Sequence, residues 1–411
     1  MSDLILFKNA FLIDGQGGEP VNGASVVVEK GVIKEVDTSG KSTVPDVARS
    51  IDLKGRTLMP GLIDAHVHVG NIEVVLDRTA SLSPAVYVLR ATQNLETDLA
   101  LGFTTLRDAG GLDWSFRQAI TQGLIKGPRV FLSVNMLTQS GGHGDKRGIA
   151  REHNVPRNSI GIYPEICDGP DEVRKAAREA LRRGADQIKV MADGGVASPS
   201  DKLGQWQFEV DELKAAVQVS QAAGTYVMAH CYDDQAISNC VEAGVKTIEH
   251  GNLMSREIAE LMAAQGTYLV PTLSVIYILA EHGKAEGFDE FMTAKLKQVL
   301  PRALEGLECA YQAGVKIGSG SDIIGPFQYM KGREFSIKAE IMGSMEAIVS
   351  ATRTNAEMMN IGDKLGTVEQ GKLADLIVVD GNPLIDLGLL ENGLEKVLVV
   401  MKEGCILKNR I

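Results

Sequence analysis

Apolar positions recur along this chain with two different periods. Near the N-terminus, LILFKNAFLIDG, ASVVVEKGVIKEVD and SIDLKGRTLMP alternate apolar and polar residues between Gly and Pro punctuation, the pattern of half-buried strands. The closing stretch, ADLIVVDG followed by VLVVMKEGCILKN, has the same texture. Two ends of one style predict a small β-sandwich domain assembled from residues 1–58 and 366–411. Between them, over residues 59–365, eight brief apolar runs alternate with helical stretches: GLIDAHVHV, FTTLRDAG, RVFLSVNML, DQIKVMADGG, TYVMAHCY, KTIEHGN, YLVPTL and KIGSGSD. DEVRKAAREALRRGA and DELKAAVQVSQAAG place apolar residues three and four apart and end in Gly, which predicts amphipathic helices with a glycine stop. Strands alternating with helices in this number predict an α/β fold, a closed parallel TIM (β/α)8 barrel, with a doubly wound open sheet as the second reading. The Gly- and charge-rich stretch from Gly141 to Pro164 is predicted to be a long loop over the barrel mouth, a lid that shapes the substrate pocket.

Composition narrows the classes of function. A chain of 411 residues, 44% hydrophobic, has room for one large domain and a smaller one. No apolar run approaches the roughly 20 residues of a membrane-spanning helix, so no membrane association is expected. Asp3 stands where a secretory signal would carry Lys or Arg, and the first residues read as a strand instead. The five cysteines form no C-x-x-C pair, which fits a reducing compartment, and a cytoplasmic location is expected. A net charge of −11 without a dense Lys/Arg run argues against nucleic acid as a partner. A small-molecule substrate and a homo-oligomer are the expected partners.

Chemistry concentrates at the predicted strand ends. In Asp64-Ala65-His66-Val67-His68, alternation puts positions 64, 66 and 68 on one strand face, and two imidazoles so spaced can serve one metal ion. An isolated H-x-H also reads as two surface histidines. Of seven histidines in the chain, however, His66, His68, His230 and His250 all fall at C-terminal ends of predicted strands, where TIM barrels carry their active sites. Lys189 alternates with Ile188 and Val190 and so points into the barrel. There it either pairs with Asp193 or Asp322, or reacts with carbon dioxide to give a carbamate able to bridge two metals. Asp322, at the end of GSGSD, can be a metal ligand and general base together, or a helix N-cap.

These residues, with LMPGLIDAHVHV, GFTTLRDAGG, TIEHGN, GSGSD and ATRTNAEMMNIGDKLGTVEQGKLADLIVVDGNP, resemble the amidohydrolase superfamily over essentially the whole chain. The resemblance implies one divalent metal, zinc by its donor set, on His66, His68 and Asp322, a second on His230 and His250, and a carbamylated Lys189 between them. QSGGHGD, KVMADGGVASPSD and HCYDDQAI are most similar to bacterial prolidases of the imidazolonepropionase-related branch. That similarity implies cleavage of Xaa-Pro dipeptides or N-acyl-proline, with His143 touching the substrate carbonyl or its oxyanion and Tyr232 binding the substrate carboxylate. Bland readings stand beside these: His143 as an ordinary loop histidine, Tyr232 as a packed rim aromatic. Many relatives carry His or Glu where this chain has Cys231, Tyr232 and Asp233, which leaves open another C-terminal residue or an aryl amide such as an ochratoxin-like substrate. A mononuclear deaminase or cyclic-amide hydrolase using Asp233 as acid/base is a further reading, against which Lys189 weighs. A catalytically silent scaffold is the last, against which the full ligand set weighs. His153 and His282 are assigned no role.

Overall fold

The computed structural model of this chain describes residues 4–39, 49–75, 78–79, 81–145, 147, 164–198 and 201–411. Most of the predicted lid, His153 included, lies outside the described residues. Strands β1 (Leu4–Leu12), β2 (Val21–Glu29), β3 (Val32–Asp37), β4 (Arg49–Asp52) and β5 (Thr57–Pro60) open the chain. A central series follows: β6 (Leu62–Val67), β7 (Phe103–Asp108), β8 (Arg129–Leu132), β9 (Met136–Thr138), β10 (Pro164–Ile166), β11 (Ile188–Met191), β12 (Val227–Cys231), β13 (Thr247–His250) and β14 (Tyr268–Val270). Strands β15 (Leu376–Val379), β16 (Val397–Lys402) and β17 (Cys405–Asn409) close it.

Both chain ends enter one eight-stranded sheet, ordered β17-β16-β15-β5-β1-β2-β3 with β4 beside β1. The seam between the ends is the antiparallel pair β15–β5, in register at Ile377↔Met59 and Val378↔Leu58. Alternation divides its side chains between two cores. Leu58, Leu376, Val378 and Met401 pack with Phe7, Val26 and Val28, while Met59, Ile377, Val379 and Val400 pack with Leu95, Leu99 and Phe103 of the central region. The strand β5 thus hands the chain from the end sheet into β6.

The central strands pair in parallel, as three (β6-β7-β8) and six (β10-β9-β11-β12-β13-β14). The third apolar run is split into β8 and β9 at Val134, whose φ is 66°; its first half pairs with β7 and its second with β11. Expected helices appear as Pro170–Arg182 and Val210–Ala222, and the glycines predicted to stop them, Gly184 and Gly224, have φ of 94° and 72°. Among the described residues, no helix is long and apolar enough to cross a membrane.

The eighth run, KIGSGSD, is not a regular strand. It makes a single parallel bridge, Leu269↔Ile317, with Leu269 N–H donating to the Lys316 carbonyl at 3.0 Å and Gly318 N–H to the Leu269 carbonyl at 2.8 Å. On its other side, Ala65 N–H donates to the Ser319 carbonyl at 2.9 Å. Its glycines admit close neighbours: a Cβ on Gly320 would lie 2.6 Å from the His66 Cβ, and one on Gly318 2.6 Å from the Asn355 Oδ1. Asn355 supplies bonds that a ladder would otherwise make. Its Oδ1 accepts from Ser319 N–H at 2.9 Å, and its Nδ2 donates to the carbonyls of Ile63 at 2.7 Å and Ser319 at 2.8 Å. Asn355→Ala removes these three hydrogen bonds to buried main-chain groups and is expected to destabilise the fold by about 3 kcal/mol. An unchanged denaturation midpoint would show that the eighth segment is held by its small residues alone.

Candidate metal centre

Three segments have a residue at or just beyond their C-terminal end in the left-handed region, which is uncommon for a non-glycine residue. His250 has φ of 78°, Thr272 48° and Asp322 52°. In β13, Ile248 faces the outer hydrophobic core, so strict alternation would send His250 outward too. The backbone twist at His250 brings its ring inward, where it lines one pocket with His66, His68, His143, Lys189, His230, Tyr232 and Asp322. Every residue assigned to the site from the sequence therefore meets at one place.

His66, His68 and Asp322 each offer a ligand atom within 4.8 Å of the others. Asp322 Oδ1 stands 3.6 Å from His66 Nε2 and 3.5 Å from His68 Nε2, and its Oδ2 is 3.9 Å from His250 Nδ1. The opposite edges of the rings are tied to protein. His66 Nδ1 donates to Glu249 Oε2 at 2.7 Å and His68 Nδ1 to the Gly110 carbonyl at 2.7 Å. Carboxylate and carbonyl oxygens only accept, so the proton sits on Nδ1 and the Nε2 lone pair faces the pocket. His250 Nδ1 bonds Thr272 Oγ1 at 2.6 Å. Burial, together with the neighbouring cations and imidazoles, holds His66, His230 and His250 well below the usual imidazole range, which keeps them neutral and able to bind metal.

Behind His66, Arg107 is fully buried and donates through Nη2 to Glu249 at 2.9 and 3.1 Å, through Nη1 to Thr247 Oγ1 at 3.2 Å, and through Nε to the Ala65 carbonyl. Arg107 and Glu249 received no role from the sequence. The available signal was alternation itself: Glu249 lies between Ile248 and His250, and a carboxylate so placed in a buried strand requires an internal partner.

Lys189 is also buried, and desolvation, opposed by Glu249 and Asp322, lowers its pKa to about 8. Burial raises Asp322 to about 7, against the pull of Lys189. Asp193 is engaged elsewhere, accepting main-chain N–H bonds from Tyr232 at 2.9 Å and Asp233 at 3.1 Å. Asp233 caps the helix Asp234–Ala243 through Gln235 and Ala236 N–H groups. His230 stacks on His143 at 4.3 Å between centroids and 12° between planes, and the Tyr232 ring stacks on His250 at 5.2 Å and 13°. His282 lies apart, at the end of the helix Leu273–His282, stacked on Phe327.

Residues 57–408 match the amidohydrolase family. An ochratoxinase from Aspergillus niger is 33% identical over 97% of this chain and 85% of its own length. A solved prolidase structure, complexed with N-methylphosphonate-L-proline, superposes with a TM-score of 0.95 at 39% identity, covering 99% of this chain and 100% of that one. A Xaa-Pro dipeptidase with methionine bound in its active site superposes with a TM-score of 0.90 at 33% identity, with coverages of 99% and 100%.

Glu249→Gln removes the charge that Arg107 neutralises and that fixes the His66 proton. It is expected to weaken divalent-metal binding by about 10- to 100-fold in a chelator competition. Unaltered affinity would show that the His66 ring is oriented by packing alone.

Proposed function

The chain belongs to the amidohydrolase family, and on that premise we propose that it hydrolyses the amide bond of Xaa-Pro dipeptides or N-acyl-prolines at a centre of two divalent ions. The observation that carries this reading is a pair of imidazole nitrogens. Nε2 of His66 and Nε2 of His230 are buried without a hydrogen-bond partner among the described residues, in a pocket that also contains His68, His250, Lys189 and Asp322. A donor set of neutral imidazoles and carboxylate suits zinc. His66, His68 and Asp322 would hold one ion and His230 and His250 the other. When bound, such ions polarise a scissile carbonyl and lower the pKa of the attacking water toward about 7. Lys189 supports the bridging role because burial brings its neutral amine within reach near pH 8. Its nitrogen can then add to carbon dioxide, lose a proton and become a carbamate.

Asp322 would take a proton from the attacking water and return it to the leaving nitrogen. A prolyl nitrogen bears two carbon substituents besides the acyl group and must be protonated to depart. His143 and Tyr232 line the same pocket, in keeping with contacts from His143 to the scissile carbonyl or its oxyanion and from the Tyr232 hydroxyl to the substrate carboxylate. We read residues 59–365 as one (β/α)8 barrel, a reading supported by the bonds from residues 316–319 to both β14 and β6, and residues 1–58 with 366–411 as the second domain. The ochratoxinase relative favours one further substrate class, ochratoxin-like aryl amides.

Zinc-loaded protein should cleave Xaa-Pro dipeptides with two metal ions per chain, and Tyr232→Phe should raise KM. Cleavage of aryl-acyl phenylalanine alone, in the same panel, would replace the proline assignment with the second one. Asp322→Asn should lower kcat by about 10²- to 10⁴-fold in protein that remains folded and still binds metal; a near-normal rate would remove Asp322 from its proposed role.

A further inference from the structure

The segment that joins β11 to the helix Val210–Ala222 is built around buried charge that the reading above does not use. Lys295, on the helix Glu290–Val299, is buried and directs its Nζ at the main-chain carbonyls of Gly195, Ser198 (2.6 Å) and Asp201 (3.1 Å), with the Asp201 Oδ1 at 3.5 Å. A buried ammonium so surrounded fixes the segment to that helix, since moving either part away would strand the charge. Asp201 in turn reaches the pocket. Its Oδ2 accepts from His143 Nδ1 at 3.0 Å, from Gly195 N–H at 3.2 Å and from Gln207 Nε2 at 3.3 Å.

Gln207 completes the hold, its Oε1 accepting the His143 main-chain N–H at 2.9 Å. The segment also passes directly over the imidazoles. A Cβ on Gly195 would stand 2.4 Å from His143 Cε1 and 2.8 Å from His230 Cε1. Burial alone would raise the Asp201 carboxyl, but the His143 ring, Ser198 and Lys295 outweigh it and hold the group well below the usual carboxylate range. The His143 ring, which lines the pocket, is therefore gripped at Nδ1, stacked against His230 and roofed by Gly195.

We propose that Asp201 is a positioning residue that sets the His143 ring over the substrate carbonyl, and that Lys295 positions Asp201 from the neighbouring helix. This rests on the proposed amide hydrolysis, in which His143 meets the reacting group. On zinc-loaded full-length protein, Asp201→Asn and His143→Ala should each lower kcat/KM for a Xaa-Pro dipeptide by about 100-fold, the usual cost of a misplaced reacting contact. Because Asp201 acts through one ring, the double variant should lose no more than His143→Ala alone. Additive losses would assign Asp201 to general stability and overturn the proposal. Asp201→Glu, which keeps a carboxylate, should recover part of the rate, and Lys295→Met should lower it.

Ring position is also read without substrate, by ¹⁵N-histidine NMR of the full chain with His143 identified through His143→Ala. Asp201→Asn should move the His143 ring signals and leave those of His66 in place. If the wild type cleaves no dipeptide, the Xaa-Pro reading fails while the spectrum still decides the positioning: displaced His143 signals uphold it, and unmoved signals overturn it.

Discussion

The centre depends on a carboxylate buried between a guanidinium and an imidazole. Glu249 receives Arg107 at 2.9 Å on one side and His66 at 2.7 Å on the other, and all three side chains are shielded from solvent. Burying one of these groups alone would cost several kcal/mol. Buried together they compensate one another, and the arrangement leaves a single chemical outcome at His66, a neutral ring with its lone pair facing the pocket. Arg107 also spans from Thr247 on β13 to Ala65 on β6. The same cation therefore ties the strands that carry His66 and His250.

A second chain of buried charge sets Asp322. Ser321 donates to Asp64 through both N–H and Oγ, at 2.9 and 2.6 Å. Asp64 faces Lys331 at 3.6 Å, and Lys331 pairs with Asp98 at 2.8 Å. Asp322 N–H donates to the His66 carbonyl at 2.8 Å. The positive φ of Asp322 is held in place by these bonds on either side. Positive φ at His250 and Asp322 turns their side chains toward the pocket, and buried ion pairs lie beneath them.

Much of this was legible in the sequence. H-x-H on a strand, and histidines gathered at strand ends, named His66, His68, His230 and His250, and a lysine alternating with Ile188 and Val190 named Lys189. Glycine stops gave the helices 170–182 and 210–222. The eighth segment was legible as a site, but the need for glycine at 320 was not, because the clash that enforces it involves His66, which is remote in sequence. His250 was identified through its place at a strand end, although simple alternation would have pointed its ring the wrong way.

By itself, the sequence determined what depends on near neighbours: the periods of strands and helices, the kinship of the two ends, and the ligand types available at each strand terminus. Tertiary structure alone decided which nitrogen of each imidazole faces the pocket, which carboxylates sit beside cations, and how far burial moves Lys189 and Asp322 toward neutrality. The physical reason is that hydrogen-bond partners and desolvation are set by groups brought together from distant parts of the chain. Arg107 and Glu249, or His143 and Asp201, carry no mark of their partnership until the fold excludes water from between them.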